Sequence, residues 1–88
     1  MLKLVYSSRF EKDLKLAKKQ HKKFSELEKI VTLLQNNQFL PPKNRNHKLQ
    51  GDYAGYWECH VEPDWLLIYK ISKTELTLAR IGSHADLF

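Results

Sequence analysis

The apolar positions of this 88-residue chain change their period once, near the middle. Phe10, Leu14 and Ala17 recur at helical spacing with lysines between them, and Phe24, Leu27, Ile30, Val31 and Leu34 do so again. These two runs predict a pair of helices joined by a short basic turn, a helical hairpin. Ser8 followed by Glu11 matches a capping box at the first helix start. The second helix should stop at Asn36-Asn37, because Asn tolerates the left-handed end conformation and Pro41-Pro42 follow. Ahead of the hairpin, "LKLVY" (2–6) is rich in strand formers and reads as a first strand.

From residue 49 the pattern is that of a sheet. "YWECHVE" (56–62) alternates, with Trp57, Cys59 and Val61 on one face and Glu58, His60 and Glu62 on the other. "WLLIYKI" (65–71) is almost continuously apolar, as a central strand should be. Only Glu62, Pro63 and Asp64 separate the two runs, so they predict an antiparallel hairpin. "ELTLARI" (75–81) makes a third consecutive strand with an unresolved parity. Leu76, Leu78 and Arg80 share a face by alternation, yet an arginine is not left unpaired inside. Either Arg80 emerges at the sheet edge or a bulge re-aims it. The fold class expected is α+β: an N-terminal strand, a helical hairpin, then a C-terminal antiparallel-rich sheet, in a single domain over residues 1–88. No repeat, linker or low-complexity stretch interrupts it.

Composition adds three limits. At 42% hydrophobic and 28% charged, the chain is globular in type, not disordered. The single Cys59 excludes an internal disulfide and suits a reducing compartment. "MLKLVYSSRF" has no apolar segment long enough for a signal peptide, and no run approaches a membrane span, so a cytoplasmic protein without a membrane partner is expected.

Charge changes the picture more. Residues 9–23 hold Arg9, Lys12, Lys15, Lys18, Lys19, Lys22 and Lys23 against Glu11 and Asp13, a local +5 equal to the net charge of the whole chain. "KNRNHK" (43–48) adds Lys43, Arg45 and Lys48 without an acid. Such clusters point to a polyanion, most often nucleic acid. The same lysines also suit a solvated helix face.

Candidate chemistry lies in the second half. His60 sits on a strand, Asp64 in the hairpin four residues later, and Arg80 four residues before His84. If hairpin and last strand are neighbours, the open sheet face gathers His60, Asp64 and Arg80, with His47 and His84 reaching in from flanking segments. Imidazoles and a carboxylate serve proton transfer, and a fixed cation serves a phosphate's developing charge. That set suits RNA cleavage by the substrate's own 2′-hydroxyl, which needs a base, an acid and a cation but no protein nucleophile. Plainer readings stand beside it. His60 pairs with Glu58 or Glu62, Asp64 is a turn residue, Arg80 is a structural ion-pair partner, Ser83 and His84 start a last turn, and Phe88 packs. A metal set of His60, Glu62 and Asp64 is the chemical competitor, but "HVEPD" matches no established ligand spacing, so no metal or other cofactor is expected.

The stretches "HKLQGDYAGYWECHVEPDWLLIYKI" and "LARIGSHADLF" resemble the YafQ-type toxins of bacterial type II toxin–antitoxin pairs, within the RelE-like superfamily. The likeness covers nearly the whole chain, and the combination H-x-L-x-G, C-H-x-x-P-D-W and G-S-H-x-x-L-F carries it. The resemblance implies two helices against an antiparallel-rich sheet and an endoribonuclease that cuts messenger RNA in the A site of the 70S ribosome, near the 16S ribosomal RNA. It implies a cognate antitoxin, of ribbon-helix-helix type, that silences the toxin and provides its only link to DNA. Carried over by position, its active-site residues fall on His47, His60, Asp64, Arg80, His84 and Phe88. One position departs: Trp57 stands where family members commonly carry an arginine. The alternative reading is a non-catalytic RNA- or ribosome-binding member that acts with its antitoxin in operon repression.

Overall fold

The two helical runs form one layer, and the strands on either side of them in sequence form the other. The computed structural model describes residues 1–88 in full. Strand β1 (Lys3–Tyr6) leads into helices α1 (Ser8–Lys19) and α2 (Phe24–Gln35). Strands β2 (His47–Lys48), β3 (Trp57–Glu62), β4 (Trp65–Ile71) and β5 (Glu75–Gly82) follow, and a one-turn helix α3 spans His84–Leu87. The five strands form one sheet in the order β1-β5-β4-β3-β2. β1 runs parallel to β5, and every other pairing is antiparallel. The α+β architecture is the one expected, with β2 as an addition too short to carry a pattern. No helix is long and apolar enough to cross a membrane.

Two local signals differ from the sequence reading. The N-cap of α1 is Ser7, not Ser8: its Oγ accepts from the Phe10 amide at 3.0 Å and donates to the Ala79 carbonyl at 2.6 Å. One hydroxyl thus caps the helix and ties it to β5, which is why the cap falls a residue early. The end of α2 is as expected. Asn37 is left-handed (φ 55), and the Gln38 and Asn37 amides donate to the Leu33 and Leu34 carbonyls, a Schellman closure.

Alternation decides the core. Cys59, Val61, Trp65, Leu67 and Tyr69 face the helices and pack with Phe10, Ala17, Leu27, Ile30 and Leu34. Leu66 and Ile68 face the opposite way and are covered by Leu87 of α3, with Leu49, Tyr53 and Tyr56 beside them. β4 is therefore buried on both faces, as its unbroken apolar run requires. Cys59 is wholly enclosed, and burial pushes its thiol up to about 12, which removes it as a nucleophile at neutral pH.

Two register shifts re-aim side chains. Between β4 and β5, Ile68 pairs with Arg80 while Tyr69 pairs with Leu78, so Ala79 is the extra residue. Leu76 and Leu78 stay on the helix side, and Arg80 is turned to the face of Ile68. Between β3 and β4, Val61 is the extra residue and Glu62 pairs with Trp65. That shift changes the pairing of Glu62, which still borders the same hollow as Glu58 and His60.

Candidate active site

The face opposite the helices carries a cleft of about 770 Å³ where β2, β3 and α3 meet. Its lining includes His47, Glu58, His60 and His84, with Lys43 and Arg45 at one side. β2 brings His47 there by pairing His47 with Glu58. A 3₁₀ turn at Pro42–Asn44 and a left-handed Arg45 (φ 47) steer the chain into that short strand. Asn44 is buried and donates through Nδ2 to the His60 carbonyl at 2.7 Å, which fixes the backbone just before the bulge at Val61.

Each histidine is oriented through an oxygen. The Arg45 carbonyl lies 2.8 Å from His47 Nδ1 and can only accept, so that nitrogen carries a hydrogen. His47 Nε2 faces Glu58 Oε1 at 3.4 Å. Glu58 is 5% exposed, and its Oε2 is buried with no partner. A buried polar oxygen without a partner costs free energy and is uncommon in a folded interior.

On the far wall, the Asp64 carboxylate accepts from the His84 amide at 3.0 Å and from His84 Nδ1 at 2.8 Å. Those two donors, the backbone one first, hold the Asp64 carboxyl below the usual carboxylate range. The arrangement puts the hydrogen on Nδ1 and leaves Nε2 of His84 for a ligand. A capping box anchors this turn: Ser83 Oγ accepts from the Asp86 amide at 3.2 Å, and Asp86 accepts from the Ser83 amide at 3.4 Å. The rings of His60 and His84 meet edge to face at 5.9 Å.

Arg80 and Phe88 stand apart from this cleft. The Arg80 guanidinium is forked onto Asp13 of α1, Nε at 2.8 Å and Nη2 at 3.2 Å, both side chains 14% exposed. Asp13 also accepts from the Ile81 amide at 3.0 Å. β1 covers β5 only as far as Leu78, so past that point the strand edge is open and α1 supplies the partner. The hydrogen bond to Asp13 raises the Arg80 pKa further above its ordinary value, with a smaller push from Tyr53. Phe88 is exposed and lies edge-on to Tyr53 at 5.9 Å.

The fold thus brings His47, His60 and His84 together, sets Asp64 behind His84, and places Arg80 and Phe88 in a neighbouring cluster through Tyr53. The three-residue metal set does not converge: His60, Glu62 and Asp64 do not come together as a group. Of the basic residues, Lys43 and Arg45 reach the cleft, whereas Lys48 lies over the Trp57 ring on the helix side, 5.4 Å from its centre. Lys12, Lys15, Lys18, Lys19 and Lys23 are exposed on the helical layer, away from the cleft. Lys22 covers Trp65 at 6.0 Å and lines a smaller hollow of about 370 Å³ that reaches Asp64. Sequence reasoning left Glu58, Asn44, Tyr53 and Asp13 out of the candidate site. For Glu58 the signal was present, a carboxylate inside an alternating strand, but its partner lies on β2.

The chain matches, over residues 2–88, the family described as bacterial toxin of type II toxin–antitoxin system, YafQ. It is 49% identical over 86 residues to the mRNA interferase toxin YafQ of Escherichia coli K12, covering 97% of this chain and 94% of that protein. The crystal structure of YafQ from E. coli BL21(DE3) superposes with a TM-score of 0.93 at 45% identity, covering 100% of this chain and 99% of that one. YafQ in the E. coli DinJ–YafQ toxin–antitoxin complex gives 0.91 at 46% identity, covering 99% and 97%. With a match along its whole described length in sequence and in fold, this chain belongs to the YafQ family of type II toxin–antitoxin toxins.

Proposed function

We propose that the chain is an mRNA interferase, an endoribonuclease toxin that cuts messenger RNA in the ribosomal A site and so stops translation in the cytoplasm. The convergence of three imidazoles in one basic-sided cleft, with an aspartate hydrogen-bonded behind one of them, carries this reading. The chemistry is attack by the substrate's 2′-oxygen on the adjacent phosphorus. The O2′–P bond forms, the P–O5′ bond breaks, one proton leaves the 2′-hydroxyl and another reaches the departing 5′-oxygen. His84 Nε2 is the central proton-transfer atom, because Asp64 fixes the tautomer and steadies the ring when it is charged. His60, in contact with the His84 ring, is its counterpart on the opposite side of the phosphate. His47, backed by Glu58, and the cations Lys43 and Arg45 hold the RNA backbone and its developing charge. Arg80 serves the phosphate with the guanidinium nitrogen that Asp13 leaves free, and Phe88 stacks on a base. The α1 lysines Lys12, Lys15, Lys18 and Lys19, with Lys22, Lys23 and Lys48, meet the surrounding ribosomal RNA. A ribbon-helix-helix antitoxin is the regulatory partner.

Induced expression with primer extension on translating cells tests this. The wild-type chain should arrest growth and create new transcript ends inside codons. His84→Ala and Asp64→Ala should each remove both effects while the folded spectrum is kept. Arrest without new ends would point to a binding module instead, and unchanged cleavage by both variants would remove the site.

A further inference from the structure

Phe39 is the most exposed of the large apolar side chains, at 99%. It is not on a slack loop. The Schellman closure at Asn37 and Gln38 fixes the backbone before it, and Leu40 packs against the main core immediately after it. The chain therefore holds a bare aromatic ring in water by construction. Beside it opens a further pocket of about 330 Å³, walled by Phe39, Trp57 and Ile71, with the amides of Asn37, Gln38 and Asn46 in its lining. Asn46 Oδ1 takes the Tyr69 hydroxyl at 2.6 Å, which orients its Nδ2 as a donor with no partner in the protein. Burial raises the Tyr69 phenol above its ordinary value, so the hydroxyl keeps the hydrogen this bond needs.

Aromatic walls, amide edges and a nearby cation are the features that bind an unstacked base. Lys48 supplies the cation, over the Trp57 ring. Its position relates this pocket to the cleft. β2 is two residues long, with His47 opposite Glu58 and Lys48 opposite Trp57. Neighbouring residues of a strand point to opposite faces, so His47 reaches the cleft while Lys48 lies over Trp57, a wall of the pocket, across a single strand. The basic run from Lys43 to Lys48 forms the border between them.

We infer that this pocket takes a single unpaired nucleobase of the same RNA whose phosphate occupies the His47–His84 cleft, by stacking on Phe39 and hydrogen bonding to the Asn46 amide. The inference rests on the ribonuclease reading above and extends it to a subsite for a base beside the cut. The positive charge along the border favours RNA over a protein segment as the occupant.

Phe39→Ala is the direct test, because a side chain in water can be removed without harm to the fold. In cleavage of mRNA on ribosomes its KM should rise by about 5- to 100-fold, the worth of one stacked base, with kcat little changed. Phe39→Trp should restore wild-type KM. Independently, a short RNA carrying 2-aminopurine should be quenched on binding to the full chain made non-cutting by His84→Ala, and that quenching should vanish when Phe39→Ala is added. A wild-type chain that leaves mRNA intact sinks the ribonuclease reading, while the quenching assay still reports on the pocket. A chain that cuts with the same KM with or without the Phe39 ring overturns the subsite alone. So does a Phe39→Ala variant that keeps its RNA affinity but loses affinity for the antitoxin, which would give the pocket to a protein partner.

Discussion

Asp13→Ala should cost about 3 kcal/mol of stability, although Asp13 lies far from the imidazoles. The aspartate accepts three hydrogen bonds: two from the Arg80 fork and one from the Ile81 amide on the uncovered edge of β5. Removing it strands a guanidinium and a backbone N–H that are largely out of water. Breaking a buried ion pair from one side costs about 3–5 kcal/mol, and the 14% exposure of both side chains places this pair at the lower end. For a domain of this size each kcal/mol moves the melting temperature by about 4–8 °C, so a fall of roughly 12–24 °C is expected. Urea denaturation followed by tryptophan fluorescence gives the free energy directly. Asp13→Asn should fall in between, because it keeps an acceptor for the Ile81 amide and loses the charge. A double-mutant cycle with Arg80→Ala isolates the pair, with an expected coupling of at least about 1.5 kcal/mol. A loss below about 0.5 kcal/mol for Asp13→Ala, or no coupling, would refute the account of Arg80 as locked by α1.

Two further measurements probe the α3 turn. Because the two His84 donors depress the Asp64 carboxyl, their stabilising contribution is present above the ordinary carboxylate value of about 3.9 and is lost as pH falls through the lowered one; carbon-detected titration should find Asp64 titrating below its ordinary value and moving back up in His84→Ala. Leu87→Ala should destabilise by about 2–3 kcal/mol in denaturant, since Leu87 covers Leu66 and Ile68, and a loss near zero would show that α3 is not part of the second core.

Contacts between neighbours in sequence were legible, and contacts across the sheet were not. The bounds of β4 and the Asn37 stop of α2 follow from local pattern and from the chemistry of Asn and Pro. The Arg80 conflict was also visible, because two leucines and an arginine cannot share one buried face. Its resolution was not, because the bulge at Ala79 depends on how β5 registers on β4 and the partner Asp13 lies 67 residues away. The list of histidines was readable from residue type, but their pairings were not. Glu58 looked like a neighbour for His60, whereas β2 brings His47 to it, and a two-residue strand leaves no periodic trace. Leu87 looks terminal in sequence and is interior in space.

The parallel pairing of β1 with β5 bears on time as well as on shape. Lys3–Tyr6 cannot find its partner until Glu75–Gly82 has been made, so both helices and three strands must be translated between them. Contacts that span such lengths form late and slowly. His84 on α3 follows β5 in the chain, so the cleft it lines is complete only after the last strand has paired. The cleft is thus a late product of folding, completed only when β2 at one end of the sheet order and α3 beyond β5 have both been laid down.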